Sequence, residues 1–261
     1  MTMDAWHDLD IELDAWEANG LTATFWWRDD DAVAPTPALE RLIGIAERHS
    51  APLLLAVIPE PSTDALRRRV EASKWVSVAQ HGLRHRNNAP EGDRASEFPH
   101  ARTLSENVTD MTEGLRLLKG FPHLVPVFVP PWNRIDARLF PGIASLGHKG
   151  VSTFGGRAMA QPLPGFTQTN CHADIIAWKS GRGFAGVGRV LDDVIGHLKA
   201  RRARSADADE PTGLLTHHLV HDPASWQFLD AFFDHLSRRS GVHWLTPQAA
   251  FRFPSAARMS G

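Results

Sequence analysis

The chain has 261 residues, of which 43% are hydrophobic, and its 28 basic and 30 acidic residues leave a formal net charge of −2. These charges are spread along the chain, which excludes the electrostatic footprint of a nucleic-acid-binding or anionic-membrane-binding protein. The single cysteine, Cys171, excludes an internal disulfide and a zinc site built from cysteines. None of these quantities determines an oligomeric state.

The first 14 residues are acidic, whereas a secretory signal needs a positive start followed by an apolar run. The acidic side chains in this stretch are Asp4, Asp8, Asp10, Glu12 and Asp14. No apolar stretch approaches the roughly 20 residues needed to span a bilayer. We therefore expect a cytoplasmic protein with no membrane insertion.

Short apolar runs alternate with longer amphipathic stretches along the chain. The runs predict strands at residues 21–27, 52–58, 75–79, 125–129, 150–154, 174–178, 213–219 and 242–245. The amphipathic stretches predict helices at residues 36–49, 62–72, 103–119, 136–146, 188–202 and 224–239. Such alternation favours parallel strands joined by helices, and we predict one α/β domain over residues 1–261, with a core at about 21–250. The number of units indicates a barrel, and no Gly-rich dinucleotide fingerprint follows the first strand to favour an open sheet.

The first predicted strand leads into three consecutive carboxylates, Asp29, Asp30 and Asp31. Neighbouring carboxylates repel one another, and a divalent cation would relieve that repulsion. A solvated turn or a helix cap is the alternative interpretation. Because chemistry in such barrels lies at the carboxyl ends of the strands, the position favours a functional site.

The third predicted strand leads into Gln80-His81-Gly82-Leu83-Arg84-His85. Histidines four apart share one face of a helical turn, so both imidazoles could reach the same cation. One Asp and two His make a three-ligand site with open positions, which is the arrangement that a hydrolytic metal needs. A second carboxylate of the acidic triplet could then serve as general base.

Two later segments add candidate catalytic groups. Pro130 and Pro131 stiffen the loop after the fourth strand, which can aim the backbone N–H of Trp132 at an oxyanion, although a simple rigid loop explains the prolines equally well. His217 follows the last long apolar strand, where it could act as general acid. A core histidine bonded to the backbone is the alternative there.

In this order, the segments resemble the motifs of the polysaccharide deacetylase family, also called the NodB-homology or carbohydrate esterase 4 type. That family has an acidic pair after its first strand, a His-x-x-x-His motif, a Pro-rich loop, an Asp/Trp segment and a Leu-x-His strand. All five have counterparts between residues 22 and 222, with residues 172–178 as the Asp/Trp segment. The resemblance implies a distorted (β/α) barrel of seven or eight strands, a divalent metal, and hydrolysis of an N-acetyl amide or, less often, another C–N bond.

The resemblance also assigns residues. Asp31, His81 and His85 fall on the metal-binding positions. Zinc is the default metal, and cobalt, nickel and iron accept the same ligands.

The catalytic positions follow in the same way. Asp30 falls on the general base, or Asp29 in the spacing that some relatives use. Trp132 falls on the aromatic residue whose backbone N–H faces the oxyanion, and His217 falls on the general acid.

The chain departs from the family pattern at several positions. Val129 stands where the family has an arginine that orients the base, and Arg28 or Arg134 could substitute. Asp174 would normally position that arginine, and Ala32 replaces the usual glycine. These changes indicate a divergent branch.

Three functions are therefore compared. The first is a metal-dependent deacetylase acting on a carbohydrate, on whose rings tryptophans such as Trp26, Trp27, Trp132 and Trp178 could stack unless they belong to the core. The second is a catalytically impaired carbohydrate-binding protein, which the missing loop arginine suggests. The third is a non-haem iron oxygenase, since two histidines and a carboxylate also suit Fe(II), although those enzymes favour antiparallel barrels.

Overall fold

A computed structural model describes residues 2–253, with side chains from residue 4 onward. Its helices are α1 (Thr2–Ala18), α2 (Pro37–Arg48), α3 (Asp64–Glu71), α4 (Leu104–Leu118), α5 (Phe140–Ser145), α6 (Val187–Arg202), α7 (Pro223–Ser237) and α8 (Pro247–Ala250). Its strands are β1 (Ala23–Ala32), β2 (Leu53–Val57), β3 (Val76–His81), β4 (Leu124–Val129), β5 (Gly150–Val151), β6 (Thr167–Gln168), β7 (Ala173–Asp174), β8 (Thr212–Thr216) and β9 (Val242–Trp244). The predicted single domain also includes residue 1 and residues 254–261, which lie outside the described residues.

The strands form one curled parallel sheet in the order β6-β5-β4-β3-β2-β1-β8-β7, with β9 added beside the start of β1. Residues 167–174 close the ring, because their first part pairs with β5 and their last part pairs with β8. Between these parts, the Thr169 and Cys171 amides donate to residues 151 and 153, and the His172 amide donates to Gly213. The predicted distorted barrel is thus confirmed.

Alternation along β1 separates two apolar layers. Phe25 and Trp27 point outward into the large core between the sheet and its helices, whereas Trp26 points into the barrel against Leu54 and Phe251. Trp26 and Trp27 are both fully buried. These two tryptophans therefore belong to the core and are not available to a sugar ring.

The first strand is longer than its apolar run predicts. The ladder continues on both sides of the charged residues, with Arg28 opposite Leu54 and Leu215, and Asp29 opposite Leu55 and Thr216. Charged side chains do not end a strand whose backbone groups are paired on both sides. The acidic triplet thus lies in the end of β1, and not in a turn after it.

Three other predicted elements need correction. The strand predicted at 174–178 stops at Asp174, because the Asp174 side chain accepts a hydrogen bond from the Ile176 amide and turns the chain. The strand predicted at 150–154 is reduced to Gly150–Val151. The helix predicted at 62–72 begins two residues later, because Thr63 caps it: its hydroxyl accepts a hydrogen bond from the Leu66 amide.

Helix α1 was not predicted from the sequence. Leu9, Leu13 and Trp16 recur on one face and are buried, and the buried Glu12 carboxylate accepts 2.8 and 2.9 Å hydrogen bonds from Arg202 of α6. The acidic residues that oppose a secretory signal are in part the polar face of this helix. Among residues 2–253, no helix combines the length and the apolar character that crossing a bilayer requires.

The packing of α1 predicts unequal effects for two neighbouring substitutions. Leu9→Ala should lower the free energy of unfolding by about 2–5 kcal/mol, because Leu9 is fully buried in the large core. Ile11→Ala is the matched control, since Ile11 is 52% exposed, and should change stability by less than about 0.5 kcal/mol. Urea unfolding measures both, and equal effects would contradict the packing of this helix.

Candidate metal and acid–base site

The end of β1 is irregular at the acidic triplet. The register with β2 shifts between Asp29 and Ala32, and Asp31 has a φ of +74°. A bulge of this kind re-aims side chains that would otherwise alternate strictly across the sheet. As a result, Asp30 and Asp31 both face the mouth of the barrel near His81, while Asp29 faces β8.

Asp31, His81 and His85, the three predicted metal ligands, converge on one point. The Asp31 Oδ1 lies 3.2 Å from the His81 Nε2 and 3.3 Å from the His85 Nε2. The His81 ring is buried, whereas the Asp31 and His85 side chains are 27% and 23% exposed. The cluster is thus fixed on one side and reachable by solvent or substrate on the other.

The hydrogen-bond partners of His81 leave room for a cation in the cluster. The His81 Nδ1 lies 2.9 Å from the Val129 carbonyl oxygen, which can only accept, so Nδ1 carries the hydrogen. In the neutral imidazole, Nε2 then carries a lone pair and faces the Asp31 carboxylate, so two acceptors face each other. A divalent cation between them satisfies both, and a carboxylate with two imidazoles is a common ligand set for such ions.

His172, His197 and Glu210 form a second cluster of potential ligands, but its geometry differs. The His172 and His197 rings stack face to face, with centroids 3.4 Å apart and planes 14° apart. A metal lies in the plane of each imidazole that binds it, so stacked parallel rings cannot share one ion. The His81 and His85 rings are instead inclined by 52°, which permits convergence.

The two candidate ligand histidines are not on a helical turn, contrary to the sequence prediction. His81 is the last residue of β3, and a loop with Gly82 at φ +61° and His85 at φ +54° brings the second ring back. A Cβ on Gly82 would come within 2.0 Å of Glu97 and 2.7 Å of Pro131, so only glycine fits. The two imidazoles are therefore brought together by a loop with residues in the left-handed region, and not by one face of a helix.

Of the two arginines considered from the sequence, Arg28 is the one that pairs with Asp30. Its Nε and Nη2 lie 2.9 and 3.0 Å from the two carboxylate oxygens of Asp30, and both side chains are buried. Ser152 and Asn133 accept further hydrogen bonds from the same guanidinium.

Arg134, the other candidate, instead donates to the Ala95 carbonyl. Asp30 is therefore held side-on at the edge of the cluster, with Val129 left in the apolar interior.

His217 lies directly after β8 and faces the same mouth. Its Nε2 is 3.9 Å from the Asp30 Oδ2, and its Nδ1 is 4.0 Å from the Asp174 Oδ1. Asp174 therefore lies beside the candidate acid, while Arg28 pairs with Asp30. Burial raises the pKa of Asp174, although the neighbouring His217 opposes this shift.

Trp132 lies in a short 3-10 turn, Pro131–Asn133, at a φ of +57°. The turn is closed by the amides of Asn133 and Arg134, so its hydrogen bonds do not use the Trp132 amide. The indole packs on the His85 ring at 4.2 Å between centroids. The loop thus brings the Trp132 residue next to the candidate metal ligands.

Asp29 is separated from the other two carboxylates. It is fully buried, and its oxygens accept hydrogen bonds from Thr216 and His218 at the end of β8. Burial alone would raise the pKa of Asp29, but the His218 charge and these hydrogen bonds hold it below its usual range. The only sequence signal that separates Asp29 from the candidate base is the alternation of side chains along a strand.

Comparisons with known proteins bear on the fold. No family model matches the sequence, and no curated protein matches it at a significant level. A protein from Mycobacterium smegmatis named as a polysaccharide deacetylase superposes with a TM-score of 0.59 at 13% identity, covering 88% of this chain and 90% of that one. The Bc1960 peptidoglycan N-acetylglucosamine deacetylase superposes with a TM-score of 0.53 at 12% identity, covering 91% and 96%.

A third match is a mutant of BA3943, a CE4 family pseudoenzyme whose enzymatic activity the mutant restores. It has a TM-score of 0.55 at 14% identity and covers 88% of this chain and 68% of that one. At these identities the likeness shows the fold, which is that of the polysaccharide deacetylases, and the predicted resemblance is confirmed at that level. Since one neighbour is a pseudoenzyme, the fold alone does not establish turnover.

Proposed function

We propose that this chain, with the fold of the polysaccharide deacetylases, is a metal-dependent hydrolase that removes an acetyl group from an N-acetylated carbohydrate. The main support is the convergence of Asp31, His81 and His85 beside Asp30 and His217 at the mouth of the barrel. A cation held there would lower the pKa of a water molecule and polarise the acyl oxygen. Zinc is the default ion for this ligand set, with cobalt, nickel or iron as substitutes.

Asp30 and His217 then supply the proton transfers. Asp30, oriented by Arg28, accepts a proton from water as the water oxygen bonds to the acetyl carbon. When the C–N bond breaks, His217 donates a proton to the departing nitrogen, so that acetate and a free amine are released. We assign the stabilisation of the negative oxygen that forms between the two steps to the Trp132 amide, which the hydrogen bonds of its own turn do not use.

An aromatic side chain at the mouth supports a sugar as substrate. Trp178 is 42% exposed, and its ring stands edge-on to His217 with centroids 4.6 Å apart. Its indole N–H donates to the Asp174 Oδ2 at 2.8 Å, which fixes the ring. A fixed, exposed indole face beside the candidate acid is suited to stack on a sugar ring.

The main argument for an impaired carbohydrate-binding protein is weakened by Arg28. It was suggested by Val129, which leaves the base without the usual arginine, but Arg28 places a guanidinium on both oxygens of Asp30. The iron oxygenase is not favoured either, because the sheet is parallel and has the fold of deacetylases.

Acetate release tests the proposal. The purified chain is freed of metal with a chelator, reloaded with zinc, cobalt, nickel or iron, and assayed on N-acetyl sugars from monomers to oligomers. We expect acetate from at least one sugar, lost on chelation and restored by metal. A chain that binds metal and releases no acetate across the panel would favour the impaired binding protein.

A further inference from the structure

The residues on both sides of His217 are held by one buried carboxylate. The Asp29 Oδ2 accepts a 2.7 Å hydrogen bond from the Thr216 hydroxyl and a 2.9 Å hydrogen bond from the His218 amide. The Asp29 Oδ1 lies 2.5 Å from the His218 Nδ1, which donates to it. Because Asp29 and Thr216 are fully buried and His218 nearly so, these bonds are sheltered from water.

The position of the His217 ring depends on the backbone of residues 216–218 and on the Trp178 ring, which packs edge-on against it. The polar atoms of its ring lie 3.9 and 4.0 Å from the nearest carboxylate oxygens, too far for a direct hydrogen bond. The His217 amide itself donates to the His221 Nε2 at 3.3 Å, a contact within the segment that follows β8. Moving residues 216–218 would therefore move the imidazole.

We infer that Asp29 is a positioning residue: it fixes the end of β8 so that His217 reaches the departing nitrogen of the substrate. This inference rests on the proposed function, and it removes Asp29 from the choice of base. The Asp29 oxygens are occupied by Thr216 and His218, whereas Asp30 faces the candidate metal ligands. Asp29 thus acts through His217 and does not touch the substrate.

The dependence of rate on the leaving group separates this role from others. An amine must be protonated as it departs, but a nitrophenolate leaves without an acid. A displaced His217 should therefore slow hydrolysis of an N-acetyl sugar and spare 4-nitrophenyl acetate. Loss of the base, the metal or the fold would slow both substrates.

The experiment compares Asp29→Ala and Asp29→Asn with His217→Ala, and uses Glu71→Gln as a control at an exposed position. Asp29→Ala should lower kcat for the sugar about 10- to 100-fold, with little change in KM and less than about a threefold change on the aryl ester. His217→Ala should show the same split. Asp29→Asn should retain more activity, because its amide oxygen still accepts and its N–H₂ can meet the other tautomer of His218. Metal content should stay at the wild-type level in every variant.

The inference would be overturned if Asp29→Ala lowered kcat equally on both substrates, or lowered it on neither. If the wild-type chain hydrolyses neither substrate, the proposed function fails, and the crystal structures of Asp29→Ala and Asp29→Asn decide the positioning role. A displacement of the His217 ring by about 1 Å or more in the alanine variant is expected, a shift large enough to matter for catalysis. A His217 ring that does not move in Asp29→Ala would contradict the positioning role of Asp29.

Discussion

Replacing His81 by alanine should abolish both metal binding and acetate release. His81 is the buried member of the three-ligand cluster, and the hydrogen bond from its Nδ1 to the Val129 carbonyl orients its Nε2 toward Asp31. Removing an outer partner of a ligand typically weakens metal binding 10- to 100-fold, and we expect loss of the ligand itself to weaken it by at least about a hundredfold. Asp31→Ala should have the same effect.

Zinc titration and elemental analysis measure this effect, beside the acetate assay. His243→Ala is the matched control, since it removes an exposed histidine of β9, which pairs with the opposite end of β1. It should leave metal content and activity unchanged. Equal metal content in the wild type, His81→Ala and Asp31→Ala would eliminate the proposed site.

Arg28→Met should lower both stability and activity, and the two effects can be separated. The substitution leaves the Asp30 carboxylate buried without its ion pair, which costs about 3–5 kcal/mol in comparable buried pairs. Without the guanidinium, Asp30 also loses the contacts that orient it, so kcat should fall by about a hundredfold.

The double substitution Arg28→Met with Asp30→Leu distinguishes the two roles. Replacing both members of a buried ion pair by apolar groups is often neutral for folding, so stability should return while activity stays lost. Arg134→Met is the control, because that arginine bonds a backbone carbonyl away from Asp30. Full activity in Arg28→Met would show that Asp30 needs no guanidinium.

Periodicity and motif order predicted most of the fold and the residues of the candidate metal cluster. The buried strands are nearly continuous apolar runs, which a parallel barrel requires, and the reactive residues follow those runs at one end of the sheet. That is why Asp31, His81 and His85 could be placed together from the sequence, even though the predicted helical turn between the histidines is a left-handed loop.

The division of labour among the three aspartates could not be predicted. Alternation along β1 turns Asp29 toward β8, but only the bulge near Asp31 brings Asp31 to the mouth beside Asp30. The choice between Arg28 and Arg134 likewise depends on which side of β1 faces the barrel interior. A register shift of one residue reverses such assignments, and a single sequence does not reveal it.

The pairing of β1 with β8 has a consequence for the order of folding. Trp27 donates a hydrogen bond to Thr216, 189 residues later in the chain, so the ring closes through contacts that are distant in sequence and slow to form. Strands β1 to β4 and the histidines of the metal cluster are synthesised long before β8 arrives with His217. We therefore expect a partly folded chain to acquire its cation first and its proton donor last, in the step that completes the barrel.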